Sequence, residues 1–309
     1  MKFAVQHGIG DKRWVPEIIS PREVKRFAQT AERLGFDAIS FTDHPAPSDR
    51  WVDSGGEGVA DLFTSLGFCA AVTTTIRLMT FVLVPTYRNP FVTAHQAATL
   101  DHLSEGRVTL GMGTGYLKSE FYALGVDPNN RRERFEEAMM VCKQVWAGQD
   151  VTQEGFGYSA RGVRSVPAAV QRPHPPLWLH GNTDWAIDWV VREGQGWMGM
   201  MIGEDRIGTL RTRAIPTLDA YEARLFEVCA TCERHGRDPA TIEISNNGIW
   251  SMLDIEAGLD ADKMRDDVGR LAAMGVDWIA FNICGHDPDA SIDTLEWFAT
   301  EIIHYSAGT

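Results

Sequence analysis

Short apolar runs alternate with longer amphipathic stretches from one end of this chain to the other. Phe3–His7, Ala38–Phe41, Arg77–Val84, Arg107–Gly111, Leu177–His180, Gly196–Met201, Ile242–Trp250 and Trp278–Cys284 read as strands. Between them, Pro21–Leu34, Asp61–Val72, Phe91–Leu103, Arg131–Trp146, Asp184–Arg192, Leu218–His235, Lys263–Met274 and Ile292–Tyr305 carry apolar residues at helical spacing. About eight strand–helix units predict an α/β protein whose parallel sheet closes into a (β/α)8 TIM barrel. An open doubly wound sheet would stop sooner or hand over to a second domain. No low-complexity linker divides the chain, so residues 1–309 are expected to form a single domain.

Two stretches break the rhythm with Gly, Pro and Asp: Pro45–Gly58 and Gln149–Pro176. They are expected as insertions in βα loops, about 45–60 and 149–176, and as the carriers of substrate specificity. Glycines just past helices, Gly35, Gly194 and Gly275, are expected to take the left-handed conformation that ends a helix before the chain turns into a strand.

Composition narrows the function. A barrel takes ~250 residues, and 309 leave room for such insertions. The net charge is −13 and no dense Lys/Arg run occurs, which excludes a nucleic-acid groove. No run approaches the ~18 apolar residues of a membrane helix, and the N-terminus lacks a signal-peptide pattern. Cys69, Cys142, Cys229, Cys232 and Cys284 are scattered, as free thiols in a reducing compartment are. The expected location is the cytoplasm.

In a parallel barrel the loops after the strands gather around one mouth, so chemistry is sought at strand ends. The second strand ends in Asp43-His44-Pro45, a pair suited to hydrogen bonding or proton transfer, and equally to a turn cap beside a surface histidine. Metal ligation is disfavoured, since no second histidine stands at ligand spacing. The fourth strand runs into Gly111-Met112-Gly113-Thr114-Gly115-Tyr116, whose glycines suit either close approach to a flat ring or a tight loop. The fifth leads through Gly181-Asn182-Thr183 into a helix, either an anion site or an ordinary N-cap. Cys229 and Cys232 lie mid-helix without a second pair, and read as packing thiols. Trp250, at the end of the seventh predicted strand, is placed near the substrate.

Together these stretches resemble the bacterial luciferase-like family, especially its F420-dependent and flavin-dependent oxidoreductases. The resemblance rests on Leu34-Gly35-Phe36-Asp37 through Asp43-His44, Thr75–Leu78 through Arg88-Asn89-Pro90, and Ala97–Arg107 leading into Leu110–Gly115. Glu120-Phe121, Leu124-Gly125-Val126, Val170–Pro176 and Gly194-Gln195-Gly196-Trp197 extend it.

The resemblance implies a cofactor at the barrel mouth, F420 in preference to FMN, and a small organic substrate. It places Asp43 and His44 beside the ring, His44 moving the proton and Asp43 positioning the cofactor. It places a non-prolyl cis peptide at Phe81-Val82 behind the ring. Gly113, Thr114, Gly115 and Ser119 fall in a loop near the cofactor, and Gly181, Asn182 and Thr183 in its phosphate turn. Tyr116 stands where F420-dependent sugar-phosphate and alcohol dehydrogenases carry a glutamate, which favours a reductase or a monooxygenase over a dehydrogenase and leaves Tyr116 on the substrate side. The alternatives are an FMNH2-dependent monooxygenase fed by a separate reductase, and a non-catalytic flavin-binding barrel. A partner enzyme that reduces the cofactor is implied, and a homodimer is compatible with the fold.

Overall fold

The computed structural model describes residues 1–9, 15–54, 56, 58–250 and 252–305. Strand β1 (Lys2–Ile9) is followed by α1 (Pro21–Leu34), β2 (Ala38–Phe41), α2 (Asp49–Asp53), α3 (Leu62–Val72), β3 (Arg77–Leu83) and α4 (Pro90–Leu103). Then come β4 (Val108–Met112), α5 (Lys118–Ala123), α6 (Arg131–Trp146), β5 (Val151–Gly155), β6 (Tyr158–Val163), β7 (Leu177–His180) and α7 (Asp184–Glu193). The last part holds β8 (Gly196–Met200), α8 (Ile207–Leu210), α9 (Leu218–His235), β9 (Glu243–Asn247), α10 (Ala261–Ala273), β10 (Trp278–Cys284) and α11 (Pro288–Phe298).

Eight strands close a parallel barrel in the order β1-β10-β9-β8-β7-β4-β3-β2, as the alternation predicts. Helix ends follow local chemistry. Ser20 accepts the Glu23 N–H at the start of α1, Pro21 sits in its first turn, and Gly35 ends it at φ 87°. Gly275 likewise has φ 83° after α10. Gly194 differs from expectation: its φ of −97° is extended. A Cβ there would lie 3.1 Å from the Leu177 carbonyl oxygen, so this glycine serves close helix–strand packing and not a left-handed turn. The aspartates after the first and last of these glycines hold the sheet: Asp37 accepts the Phe3 N–H and Asp277 the Ile244 N–H, each at 2.8 Å.

Residues alternating inward along the strands fill the barrel in two chemically different levels. Ala4, Met79, Trp178, Met198, Trp278 and Ala280 pack the lower level, with Trp178 edge-on to Trp278 at 5.4 Å between centroids. Gln6, Ser40, His180 and Asn282 stand two residues beyond Ala4, Ala38, Trp178 and Ala280 on their strands, and Asn247 ends β9. The barrel is therefore plugged by apolar side chains below and floored by uncharged polar ones above.

The insertions require a correction. Gln149–Pro176 forms the antiparallel hairpin β5–β6 and lies between a helix and the next strand. That is the side of the barrel away from the mouth, and none of its residues lines the mouth cavity. The loops that do line the mouth follow β2, β3, β4, β7, β8 and β9. Gly55 and Glu57 of Pro45–Gly58 lie outside the described residues. Among the described residues, no helix is long and apolar enough to cross a membrane.

Candidate active site

A cavity of about 310 Å³ opens at the C-terminal ends of the strands. Asp43, His44, Phe81, Val82, Gly113, Thr114, Gly115, Tyr116, Gly181, Thr183 and Trp250, all expected at the site, line it. Ser119 and Asn182 do not. Ser119 lies on α5, whose neighbour Glu120 takes the inward place. Asn182 is fully buried, and its side chain is committed to the chain itself: Nδ2 donates to the Met200 and Arg213 carbonyls and Oδ1 accepts the Met200 N–H. Even its backbone N–H is taken, by Thr212 Oγ1 at 2.9 Å. Asn182 therefore shapes the turn and offers nothing to a ligand.

Asp43 and His44 are adjacent in sequence and differ in duty. The Asp43 carboxylate makes a bidentate pair with Arg88, at 2.6 and 2.7 Å, and accepts the Val84 N–H at 3.0 Å. With both oxygens engaged and only 4% of the residue exposed, it ties the segment after β3 to the cavity wall. His44 faces the other way. Its Nδ1 lies 3.1 Å from Glu120 Oε2, and its Nε2 lies 3.4 Å from the Tyr116 hydroxyl. Glu120 is wholly buried. Its carboxylate also accepts the Tyr87 hydroxyl at 2.8 Å and the Ala46 N–H at 3.4 Å. Burial and the Glu120 charge push the Tyr87 phenol well above its ordinary pKa, so it stays a donor. A carboxylate at Nδ1 favours the proton on that nitrogen and leaves Nε2 on the side of Tyr116.

Glu120 was not among the residues expected to act, although Glu120-Phe121 belongs to the sequence resemblance. Trp51, on the short helix α2, was likewise missed: its ring lies 6.2 Å from His44 and 5.7 Å from Tyr116. These three rings form one wall of the mouth. Trp250 is nearly buried, gives its indole N–H to Asp267 at 3.1 Å, and packs edge-on against Phe281. It is not at a strand end, because β9 stops at Asn247 and Gly248 turns the chain at φ 86°. Its contribution is to the cavity wall.

The opposite wall is backbone. The Phe81–Val82 peptide is cis, and the Phe81 carbonyl accepts from Gln6 Nε2 at 3.3 Å. Gly113 faces Val82, whose Cγ2 would be 3.1 Å from a Cβ. Gly111 has another reason: a Cβ there would meet the Thr80 carbonyl oxygen of the neighbouring strand at 2.3 Å. On the floor, Asn247 Nδ2 donates to His180 Nε2 at 3.0 Å, while the buried Asn247 Oδ1 has no partner among the described residues. Burial pushes His180 down to about 4, so the ring is neutral at physiological pH. A flat wall, a partnerless amide oxygen and a neutral polar floor suit an uncharged heteroaromatic ring with a polar edge.

At the far corner, Thr183 Oγ1 caps α7 by accepting the Ala186 N–H at 3.2 Å. Asp184 turns to Arg224 at 2.7 Å, away from the cavity. Arg131, Arg132, Arg206 and Arg211 also line this corner.

Comparison with known proteins bears on the family and the fold. The profile of the family described as luciferase-like monooxygenase matches residues 1–252. An F420-dependent glucose-6-phosphate dehydrogenase of Beutenbergia cavernae is 39% identical over 168 residues, covering 53% of this chain and 47% of that relative. The chain thus spans about half the length of this relative. An uncharacterised protein of Mycobacterium tuberculosis is 33% identical over 252 residues, covering 81% of this chain and 76% of that protein. Among solved structures, the monooxygenase RslO1 of Streptomyces bottropensis superposes with a TM-score of 0.78 at 21% identity, covering 99% of this chain and 100% of its own. The coenzyme F420-dependent tetrahydromethanopterin reductase of Methanopyrus kandleri gives 0.72 at 17%, covering 98% and 99%. At such identities these two establish the fold.

Proposed function

The chain belongs to the luciferase-like monooxygenase family, and from that premise we propose that it is an F420-dependent oxidoreductase acting on a small organic substrate. The observation that carries the reading is His44, held by the buried Glu120 and presented to a cavity with a flat backbone wall. The relative named for F420 supports that cofactor over FMN. Gly113, Val82 and the floor of His180 and Asn247 would hold the ring, and the turn at Gly181 and Thr183 its phosphate. When bound, the deazaflavin supplies hydride transfer to or from a carbon of the substrate.

The protein moves the proton. Glu120 keeps Nδ1 protonated, so His44 Nε2 accepts a proton from a substrate hydroxyl or, once protonated, returns it. Tyr116 stands beside Nε2 as a hydrogen-bond donor. A tyrosine in place of the glutamate at 116 disfavours oxidation only if His44 has no other carboxylate. Glu120 supplies one, so the site serves either direction. Trp51 and Tyr116 close the substrate side against water. A separate enzyme would return the cofactor to its starting state, and five cysteines without disulfides suit the cytoplasm.

The test is anaerobic titration of the apo-protein with F420 and FMN, each oxidised and reduced. Tighter binding of F420, with turnover independent of oxygen, is expected. Tighter FMN binding with oxygen-dependent turnover would make the protein a monooxygenase instead.

A further inference from the structure

Beside the last strand lies a cluster of side chains that takes no part in the cavity at the mouth. Leu253 forms a parallel bridge to Ile283: its N–H donates to the Asn282 carbonyl at 2.9 Å, and its carbonyl accepts the Cys284 N–H at 3.1 Å. This short rung sets Asp254 next to Cys284, where β10 ends. Two residues on, His286 stands in the loop that leads into α11. Asp254, Cys284 and His286 each turn one ligand atom to the same place. A carboxylate oxygen, the thiol sulfur and a ring nitrogen all lie within 4.8 Å of one another.

The place is interior. Asp254 and Cys284 are buried, and the His286 side chain is 12% exposed. Asp254 Oδ1 accepts the Glu256 N–H at 3.1 Å, while Oδ2 lies 3.8 Å from His286 Nδ1. That separation is too long for a hydrogen bond, and the buried Nδ1 has no hydrogen-bond partner among the described residues. The opposite ring nitrogen accounts for this. Nε2 lies 2.9 Å from Glu256 Oε2, and a carboxylate there favours the proton on Nε2. Nδ1 then presents a buried lone pair to a carboxylate and a sulfur. Such a set of donors is satisfied together by a cation.

Sulfur, imidazole nitrogen and carboxylate oxygen are the donors zinc takes, and a carboxylate holding the far nitrogen of a histidine is the usual support of a metal ligand. Tetrahedral zinc, with bonds of roughly 2.0–2.3 Å, keeps its ligand atoms about 3.3–3.8 Å apart. The 3.8 Å between Asp254 and His286 fits that spacing. A thiolate and a carboxylate balance the two charges of the ion, the thiol proton leaving to solvent. We propose that Asp254 Oδ2, Cys284 Sγ and His286 Nδ1 bind one zinc ion, with water in the fourth position and Glu256 orienting the histidine. None of the three ligands lines the cavity at the mouth. The ion is structural: it clamps the loop after β9 to the end of β10.

The experiment strips the full-length protein of metal with a chelator and titrates zinc against a fluorescent zinc indicator. Cobalt is titrated in parallel, because a thiolate bound to cobalt gives a near-ultraviolet charge-transfer band. One ion per chain is expected, with that band, and a higher melting temperature once the ion is bound. Glu256→Gln removes only the support of the histidine and should weaken zinc by about 10- to 100-fold. Cys284→Ser and His286→Gln should weaken it further, and Cys284→Ser should erase the band. Should Cys284→Ser fail to fold, His286→Gln reads the same loss of affinity from a partly exposed position. Cys229→Ser, which removes the exposed thiol on α9, should change nothing. A metal-free protein that binds no zinc, or binding that His286→Gln leaves intact, overturns the proposal. So does a band that disappears in Cys229→Ser, which would mark zinc held adventitiously at the surface.

Discussion

His44 Nδ1 lies 3.1 Å from Glu120 Oε2, joining the end of the second strand to a helix 76 positions later. On the proposed reading the pair positions a proton: the carboxylate would set which imidazole nitrogen carries the proton and which one meets the substrate. Glu120→Gln keeps the volume and removes the charge. Turnover should fall by about 10²-fold, the usual contribution of a positioned acid–base group. Cofactor affinity should change little, because Glu120 does not line the cavity. Unchanged turnover in Glu120→Gln would reduce the pair to a packing contact.

His44→Ala tests the same unit from its other end. Turnover should fall at least as far as in Glu120→Gln, and the double variant should be no worse than His44→Ala, since a positioning residue has nothing left to position. Additive losses, read from single-turnover rates, would give Glu120 a separate role.

Asp43 carries a different expectation from its neighbour. Asp43→Asn breaks a buried bidentate pair and leaves the Arg88 guanidinium without its charge partner. Removing one member of a buried pair costs about 3–5 kcal/mol. Urea unfolding of the apo-protein should show that loss. A variant as stable as wild type, yet inactive, would return Asp43 to a direct role in catalysis.

The barrel was legible because parallel strands buried on both faces read as brief apolar runs, and the helices between them keep a strict period. The reading of strand β9 runs three residues too far at its C-terminal end, since Gly248 turns the chain inside an apolar stretch. The hairpin at Gln149–Pro176 was assigned to the mouth on its irregular composition. Its place after a helix and before a strand puts it on the far side. At the site, His44 could be read because Asp-His-Pro follows a strand directly. Glu120 could not, because its partner is fixed by tertiary packing alone. Asn182 looked like a ligand for the same reason: the groups that occupy its amide, Met200 and Arg213, are 18 and 31 positions away.

Two buried histidines set a pH dependence. Burial lowers both His7 and His180 to about 4. In the unfolded chain each takes a proton near pH 6.5. As pH falls from 6.5 towards 4, the unfolded state binds protons that the native state refuses, so stability is lost across this window. Each ring contributes about 1.4 kcal/mol per pH unit. Above pH 6.5 both states are neutral and the effect is absent. Urea melts of wild type and His180→Gln between pH 7.5 and 5 should diverge, the variant losing the smaller amount. Parallel curves would mean that His180 accepts a proton inside the folded barrel.

Thr183 separates folding from binding at the proposed phosphate turn. Its hydroxyl caps α7 by accepting the Ala186 N–H, and the residue also lines the cavity. Asp caps a helix at least as well as Thr, and a negative charge suits a helix N-terminus. Thr183→Asp should therefore leave the apo-protein within about 0.5 kcal/mol of wild type. The same charge about 4 Å from a phosphate costs roughly 4 kcal/mol at an effective dielectric of 20. That corresponds to a loss in cofactor affinity of about a thousandfold. Arg211, at the same corner, offsets part of it, so a fall of one to two orders of magnitude is the minimum expected. Thr183→Asn gives the control: it keeps the cap, adds no charge, and should bind the cofactor nearly as wild type does. If Thr183→Asp binds as tightly as Thr183→Asn, no phosphate lies at this turn, and the ring enters the cavity in another orientation.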